Sequence, residues 1–538
     1  MRNHSAIGAA LASLLLVALL TGVTWFWLGT PVDVTPFPPN LGKLYCVSYA
    51  PFRDGQNPLV EGTRVEPWQI EEDLALLAKF TDCIRTYSVE DGRADVLESA
   101  RRHGLKVLHG IWVSADRERT SRQIAATVAF AKAYPDVIAA VVVGNEVLLR
   151  GEMSAADLIG IIREVKAQMP MPVTYADVWE FWLRYPDVRN AVDFVTIHVL
   201  PYWEDFPIPA SRAADHVAAI RSKVAAAFPG KEIVIGEFGW PSAGRMREAA
   251  RPSLSNQARA ISETLALAQR EHFRVNVIEA FDQPWKRALE GAVGGYWGIV
   301  DRASGGLKFS PDGKVSDHPH WAAEALAGVL LAALTFAAAL VAGRGKSLPA
   351  SFWARMVALA VVPAVLLGWT IETVWVESFS PGSWLRSLAF AALAVISPIV
   401  CAAACAADRP APAVAGLLGR RAGRRDALDW VLGGTLIVLM LVAVEAALGL
   451  VFDPRYRDIP FAPLTASVVP FLVLLLSVLR SAGPRAVAET VAGGALAVSA
   501  IYIVFNETFA NWQSVWFCAG LLGLAVILAL ARDVPSSK

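Results

Sequence analysis

Eight short apolar runs recur between residues 44 and 281, and helical patterns fill the gaps between them. The runs are 44–50, 83–87, 106–112, 137–143, 173–176, 194–200, 232–235 and 275–281. The helical patterns include 67–79, 94–103, 121–133, 155–168, 210–228 and 254–271. Alternation of this kind specifies parallel strands joined by crossover helices, and eight strands within about 280 residues predict a closed (β/α)8 barrel. Ser154 and Ser253 stand just ahead of helical patterns, where an N-cap is wanted. No Gly-x-Gly-x-x-Gly fingerprint is present, which argues against a doubly wound dinucleotide fold.

The rest of the chain is of another kind. The 538 residues are 55% hydrophobic and only 18% charged, where a soluble domain is about a quarter charged. The excess lies in long apolar runs at 322–343, 356–375, 386–406, 428–452, 462–480, 486–505 and 514–531, each long enough to be drawn as a membrane span. Residues 1–29 add an apolar stretch that ends in Trp25-Phe26-Trp27. Such aromatic residues suit a membrane interface, and no small-residue cleavage site follows, so this reads as an uncleaved anchor; a cleaved signal peptide is the alternative. The division is then an anchor at 1–29, a proline-rich linker at 30–40, a barrel at 41–320 and an all-α polytopic transmembrane domain of about seven helices at 321–538.

Basic residues fall on one set of loops. Arg344, Lys346, Arg355, Arg409, Arg420, Arg421, Arg424, Arg425, Arg480 and Arg485 lie on one side with Arg2, and only Arg386, Arg455 and Arg457 on the other. Positive loops stay in the cytoplasm. Both termini are therefore expected inside and the barrel outside. Formal net charge is zero, which points to no nucleic acid or other polyanion. Cys401, Cys405 and Cys518 fall in the apolar runs, while Cys46 and Cys83 lie on consecutive strands. A disulfide is open to the latter pair in an oxidising compartment. Free buried thiols are the favoured reading, because a bridge between neighbouring parallel strands needs special geometry. No Cys/His spacing suits a metal, and neither metal nor organic cofactor is expected.

Two segments carry the chemistry: Val143-Gly144-Asn145-Glu146 and Ile235-Gly236-Glu237-Phe238-Gly239-Trp240-Pro241-Ser242. Each is an apolar strand that stops at a glycine and then places a glutamate. They are the fourth and seventh strands, which face one another across a barrel mouth, and the carboxyl ends of the strands are where barrel active sites lie. Two carboxylates so delivered suit glycosidic cleavage, one protonated to assist the leaving oxygen and one ionised to attack the anomeric carbon. Asn145 is placed to bond a sugar 2-hydroxyl. Tyr49, Tyr87, Trp112, Tyr175, Trp179, Tyr202, Trp203, Trp240 and Trp285 gather near the same rim, where aromatic faces suit sugar rings and about half are expected to be core. Asp177 is a further candidate contact, and Glu279 and Lys286 are candidates for an ion pair beside the nucleophile.

Residues 41–310 resemble glycoside hydrolase family 17, the β-1,3-glucanases and β-1,3-glucanosyltransferases. The resemblance rests on Gly144-Asn145-Glu146, on Gly236 to Ser242, and on the Phe281-Asp282…Trp285-Lys286 and Tyr296-Trp297-Gly298-Ile299 runs. It implies a retaining mechanism with Glu146 as acid/base and Glu237 as nucleophile on laminarin-type glucan. Family members often have Asp-Glu-Asn where this chain has Asp282-Gln283-Pro284, which puts the usual charge network in doubt. The apolar half is similar to membrane-bound bacterial relatives of cyclic β-(1,3),(1,6)-glucan synthesis, which implies a bacterial inner membrane with the barrel in the periplasm. That favours glucanosyl transfer, whether elongation, branching or cyclisation, over hydrolysis, with a membrane glucan synthase as a natural source of donor chains. Two other classes compete. One is a lipid-linked-sugar transferase built on the spans, where Glu445 is an intramembrane acid. The other is a non-catalytic glucan sensor, for which both glutamates are unnecessary.

Overall fold

The computed structural model describes residues 2–90, 93–413, 417, 426–478 and 486–531. Arg420, Arg421, Arg424, Arg425, Arg480 and Arg485 lie outside the described residues. The chain forms two compact units, Val32–Val315 and Met1–Pro31 with Ser316–Lys538.

The first unit is a closed barrel of eight parallel strands: β1 Cys46–Ser48, β2 Cys83–Arg85, β3 Lys106–Ile111, β4 Ile138–Asn145, β5 Val173–Val178, β6 Val195–His198, β7 Ile233–Phe238 and β8 Val275–Val277. Strand β8 closes the barrel by pairing with β1, Val47 opposite Val277. Each predicted run overlaps one strand, with β4, β5 and β7 running two or three residues further at their carboxyl ends, and the helices fall where the period indicated; Ser154 and Ser253 cap Ala155–Lys166 and Leu254–Glu271 through Asp157 N and Asn256 N. The strands are Val- and Ile-rich because both faces are covered. Alternate residues line the interior, including Cys46, Cys83, Leu108, Val142 and Val234. Those between them, such as Val47, Ile84, Val107 and Val141, pack under the helices.

Cys46 and Cys83 are joined, which corrects the reading of free thiols. The register sets Val47 opposite Ile84, so the preceding pair is level, with Cα atoms 4.3 Å apart inside the barrel. Strand register also shifts between Val142 and Asn145, at Ile197/His198 and between Ile235 and Phe238. Irregularities of this kind re-aim side chains next to active sites, and here they flank Asn145, His198 and Glu237.

Among the described residues the second unit contains seven helices long and apolar enough to cross a membrane: Ile7–Gly29, Trp321–Ala342, Ala350–Glu377, Pro381–Ala407, Ala427–Phe452, Val487–Glu507 and Trp512–Ala529. An eighth, Phe461–Ser477, is apolar but shorter. The first helix is seated within its unit by one face: Ala10, Val17, Thr21 and Trp25 are buried. Trp25 is therefore not an interface residue as its sequence context suggested. Its indole lies where a Cβ on Gly368 would come within 2.2 Å of it, and its Nε1 donates to Val365 O at 3.0 Å. Phe26 and Trp27 are the exposed members of that trio. Glu445 sits on an exposed face of Ala427–Phe452 rather than inside the unit.

Candidate active site

Gly144 has φ +88, and a Cβ there would lie 2.6 Å from Val147 Cγ2. The chain turns past Asn145 and holds Glu146 at φ +53, a left-handed conformation that a glutamate keeps only where its surroundings fix it. Glu146 N donates to Ala176 O at 2.8 Å. Glu237 is delivered within β7, just after Gly236, where a Cβ would come 2.3 Å from Thr196 Cγ2. One carboxylate oxygen of Glu146, one of Glu237 and one ring nitrogen of His198 lie within 4.8 Å of one another.

Arg85 organises the pair. Its Nη1 donates to Glu237 Oε1 at 3.2 Å and to Gly236 O at 2.7 Å, and its Nη2 donates to Asn145 Oδ1 at 2.6 Å. Nη1 also lies 3.2 Å from His198 Nε2. A guanidinium only donates, so Nε2 accepts and the ring proton sits on Nδ1, which donates to Glu146 Oε1 at 2.8 Å. Tyr87 OH donates to Glu237 Oε1 at 2.8 Å and meets Ser48 Oγ at 2.7 Å. The trio of Glu146, His198 and Glu237 has the ligand types of a cation site, and the guanidinium already supplies a cation among them.

Burial raises the Glu146 pKa, but its contacts with His198 and then the charges of Arg85 and Arg150 outweigh burial and hold it below the ordinary 4.5. Glu279 and Lys286 form the expected pair, 2.9 Å apart. Burial pushes Glu279 up to about 7 against the pull of Lys286. At Lys286 burial lowers the pKa, yet Glu279 and Glu290 outweigh it and raise it. The ammonium end is the firmer of the two, since it faces two carboxylates.

A protein-family model described as the BtgE/BtgC glycoside hydrolase domain matches residues 46–298. A glucan 1,3-beta-glucosidase of Arthroderma benhamiae is 30% identical over 271 residues, covering 46% of this chain and 85% of that protein. The chain belongs to the BtgE/BtgC glycoside hydrolase family. A probable beta-glucosidase btgE of Neosartorya fischeri is 28% identical, and the match spans 40% of this chain and 40% of that relative's length. Among solved structures, a glycoside hydrolase family 17 beta-1,3-glucanosyltransferase of Rhizomucor miehei is 24% identical, with a TM-score of 0.43, covering 49% of this chain and 95% of that one.

In this glycoside hydrolase the sequence-derived contacts divide. Tyr87 and Asn145 adjoin the carboxylates, the Glu279–Lys286 pair lies within electrostatic reach of Glu237, and Trp285 is half-buried with its ring beside Lys286. Tyr49, Tyr202 and Trp240 do not present faces to a ligand, a correction to the rim reading. Tyr49 is fully buried and donates to Asp73 Oδ2 at 3.2 Å. Tyr202 donates to Arg245 O at 2.9 Å, and Trp240 Nε1 to Arg251 O at 3.0 Å, both from the core. Asp177 is buried too. Its Oδ2 takes the hydroxyl of Tyr175 and the amides of Leu148 and Leu149, and so holds the turn that carries Glu146. Arg85 and His198 were missed in the sequence, although each ends an apolar strand with a polar group.

Burial raises the Asp177 pKa to about 6 from its ordinary 3.8. The folded state therefore keeps a proton that the unfolded chain gives up between these values. Stability from this group is full below 3.8 and is lost as pH rises through about 6. Asp177→Asn is expected to flatten that part of the stability–pH curve, which denaturant titrations across the window would read.

Gln283 explains the family departure. Its Nε2 donates to Ala50 O at 3.0 Å and Phe281 O at 3.3 Å, and its Oε1 accepts from Trp285 Nε1 at 2.9 Å. A carboxylate cannot donate to either carbonyl. Gln283→Glu keeps an acceptor for Trp285 Nε1 but loses both donated bonds, and is therefore expected to cost roughly 1–3 kcal/mol, readable as a lower thermal midpoint.

Proposed function

We propose that this protein is a membrane-bound retaining enzyme that cleaves β-1,3-glucan and transfers the glucosyl unit to a sugar acceptor. The observation that carries the mechanism is the close approach of the carboxylates, with oxygens of Glu146 and Glu237 within 4.8 Å. Retaining enzymes hold their carboxyl groups about 5–5.5 Å apart, and inverting ones leave room for a water. Arg85 and Tyr87 both address Glu237 Oε1, so attack on the anomeric carbon falls to Oε2. As that bond forms, the glycosidic C–O bond breaks and the leaving oxygen takes the proton of Glu146. His198 bonds Glu146 Oε1, which assigns the acid proton to Oε2. In the second step Glu146 removes the proton of an acceptor hydroxyl, whose oxygen displaces Glu237. Trp285 and Asn145 border the sugar in this reading.

Because Glu146 is held below 4.5 in the free enzyme, its protonated form declines as pH rises. kcat/KM is therefore expected to fall through the acidic range, and a pH profile of kcat/KM would show that limb directly.

The membrane reading is supported by the seven long apolar helices and by the packing of one face of the N-terminal helix within their unit, which favours a retained anchor over a cleaved signal. The basic loop residues Arg344, Lys346, Arg355 and Arg409 favour a cytoplasmic side opposite the barrel. The Cys46–Cys83 bridge suits an oxidising periplasm. Transfer is favoured by the continuity of a glycosidase barrel with such a bundle, which keeps the enzyme where a glucan synthase would release its chains. An unchanged glucan profile in a deletion strain would oppose that partner. Hydrolysis is the second reading, favoured by the glucosidase names of the fungal relatives.

The test is linkage analysis and mass spectrometry after incubating the detergent-solubilised full-length protein with a β-1,3-gluco-oligosaccharide of defined length. Products longer than the donor establish transfer and identify the bond made. Shorter products alone establish a hydrolase.

A further inference from the structure

The helical unit holds a second cluster of titratable groups that glucan cleavage does not use. His318 lies three positions after Val315, the last residue of the barrel unit. Glu324 is in the first turn of Trp321–Ala342, and Glu372 lies near the end of Ala350–Glu377. One donor atom from each of the three lies within 4.8 Å of the other two. His318 Nδ1 is 2.8 Å from Glu372 Oε1. The rings of Trp25 and Trp369 meet the imidazole edge-on at 5.3 Å and 5.8 Å, so the surroundings are apolar.

Two independent observations show that the cluster lacks a partner. The first is hydrogen bonding. His318 and Glu324 are only 6% and 9% exposed, yet His318 Nε2 and Glu324 Oε2 have no hydrogen-bond partner among the described residues. Buried polar atoms are nearly always satisfied, and an exception signals a missing water or ion. The second is charge. Two carboxylates face one imidazole, and among the described residues no lysine or arginine forms a salt bridge with either. Glu372 is 35% exposed and meets solvent, but Glu324 is buried, and a buried carboxylate without a cation is costly.

We propose that His318, Glu324 and Glu372 form a binding site for a divalent transition-metal ion of the zinc class. One imidazole and two carboxylates fill three of the four positions of such an ion, and a water completes it. Nitrogen and oxygen donors of this kind suit zinc over a soft monovalent copper ion. The ion cancels the carboxylate charge and gives Glu324 Oε2 a partner, entering on the Nδ1 side of His318, where Glu372 lies, while Nε2 faces away from it. It also ties the segment that leaves the barrel to the start of one helix and the end of the next, which makes it a structural clip.

Cobalt chloride titrated into metal-stripped, full-length protein in detergent tests this. The expected result is about one equivalent bound with visible d–d absorption, displaced by zinc chloride. Zinc is also expected to raise the thermal midpoint. Glu324→Gln, which keeps the side-chain shape, should weaken cobalt binding by at least about tenfold and abolish the midpoint shift. His318→Gln should do the same and serves if the first variant is poorly folded. Glu237→Gln should bind cobalt as the parent does, since the cluster of Glu146, His198 and Glu237 in the barrel has the same donor types. No cobalt absorption with folded parent protein would overturn the proposal and leave water as the missing partner. Binding that survives Glu324→Gln and His318→Gln, or that disappears in Glu237→Gln, would overturn it as well.

Discussion

Glu237→Ala protein is expected to lose hydrolysis and transfer together, with kcat down roughly 10⁴- to 10⁶-fold. In the proposed mechanism both reactions pass through one glucosyl-enzyme, so neither survives loss of the attacking oxygen. The two activities must fall in step, because the acceptor enters only after the bond to Glu237 has formed. Azide offers a sharper reading. In Glu237→Ala it can occupy the vacated side of the sugar and, with an activated β-glucosyl donor, should give an α-glucosyl azide. In Glu146→Ala it should attack the glucosyl-enzyme and give the β-azide. Equal residual activity in either variant without azide would sink the assignment of roles.

Arg85→Met carries the second large effect, and it is one of stability as well as rate. The guanidinium is 1% exposed and touches Glu237, His198, Asn145 and Gly236. A methionine fills much of the same volume but returns none of those contacts. It leaves a buried carboxylate with the Tyr87 hydroxyl as its hydrogen-bond donor and His198 Nε2 3.6 Å away, and breaking a buried pair in this way costs roughly 3–5 kcal/mol. It also frees His198 Nε2, so the tautomer that directs the ring proton to Glu146 is no longer fixed. Chemical denaturation should therefore show a large loss in the barrel, and kcat should fall with it. A variant of near-parental stability and rate would contradict the role given to Arg85.

Much of this site was legible in the sequence, and the reasons for the rest are physical. The barrel was readable because every strand is a short Val/Ile-rich run with a helical period behind it. The two glutamates were readable because a glycine stands close ahead of each near the carboxyl end of its strand, although the strands run on through Gly144 to Asn145 and through Gly236 to Phe238 rather than stopping at the glycine. The faces of single residues were less so. Cys83, Arg85 and Tyr87 share the interior face by the period of two, which would have marked Arg85 once Tyr87 was chosen. The same rule turns Tyr49 outward with Val47, under the helix Pro67–Leu77 that supplies Asp73. Tyr202 and Trp240 lie beyond the strands, where alternation no longer fixes direction. Gln283 appeared to weaken a charge network, whereas its amide serves two carbonyls and an indole. Trp25 looked like an interface aromatic because a hydropathy pattern does not reveal which helix face meets a glycine on a neighbour.

The central claim is that Glu237 forms a covalent bond to the sugar. It is tested most directly by incubating the full-length protein with a 2-deoxy-2-fluoro-β-laminaribiosyl fluoride and mapping the adduct by peptide mass spectrometry. The fluorine slows both steps, and the fluoride leaving group lets the first outrun the second. The account predicts one laminaribiosyl-derived adduct on the peptide that contains Glu237, and none on Glu237→Gln protein. An adduct on Glu146, or complete absence of labelling in protein that turns over glucan, would contradict it.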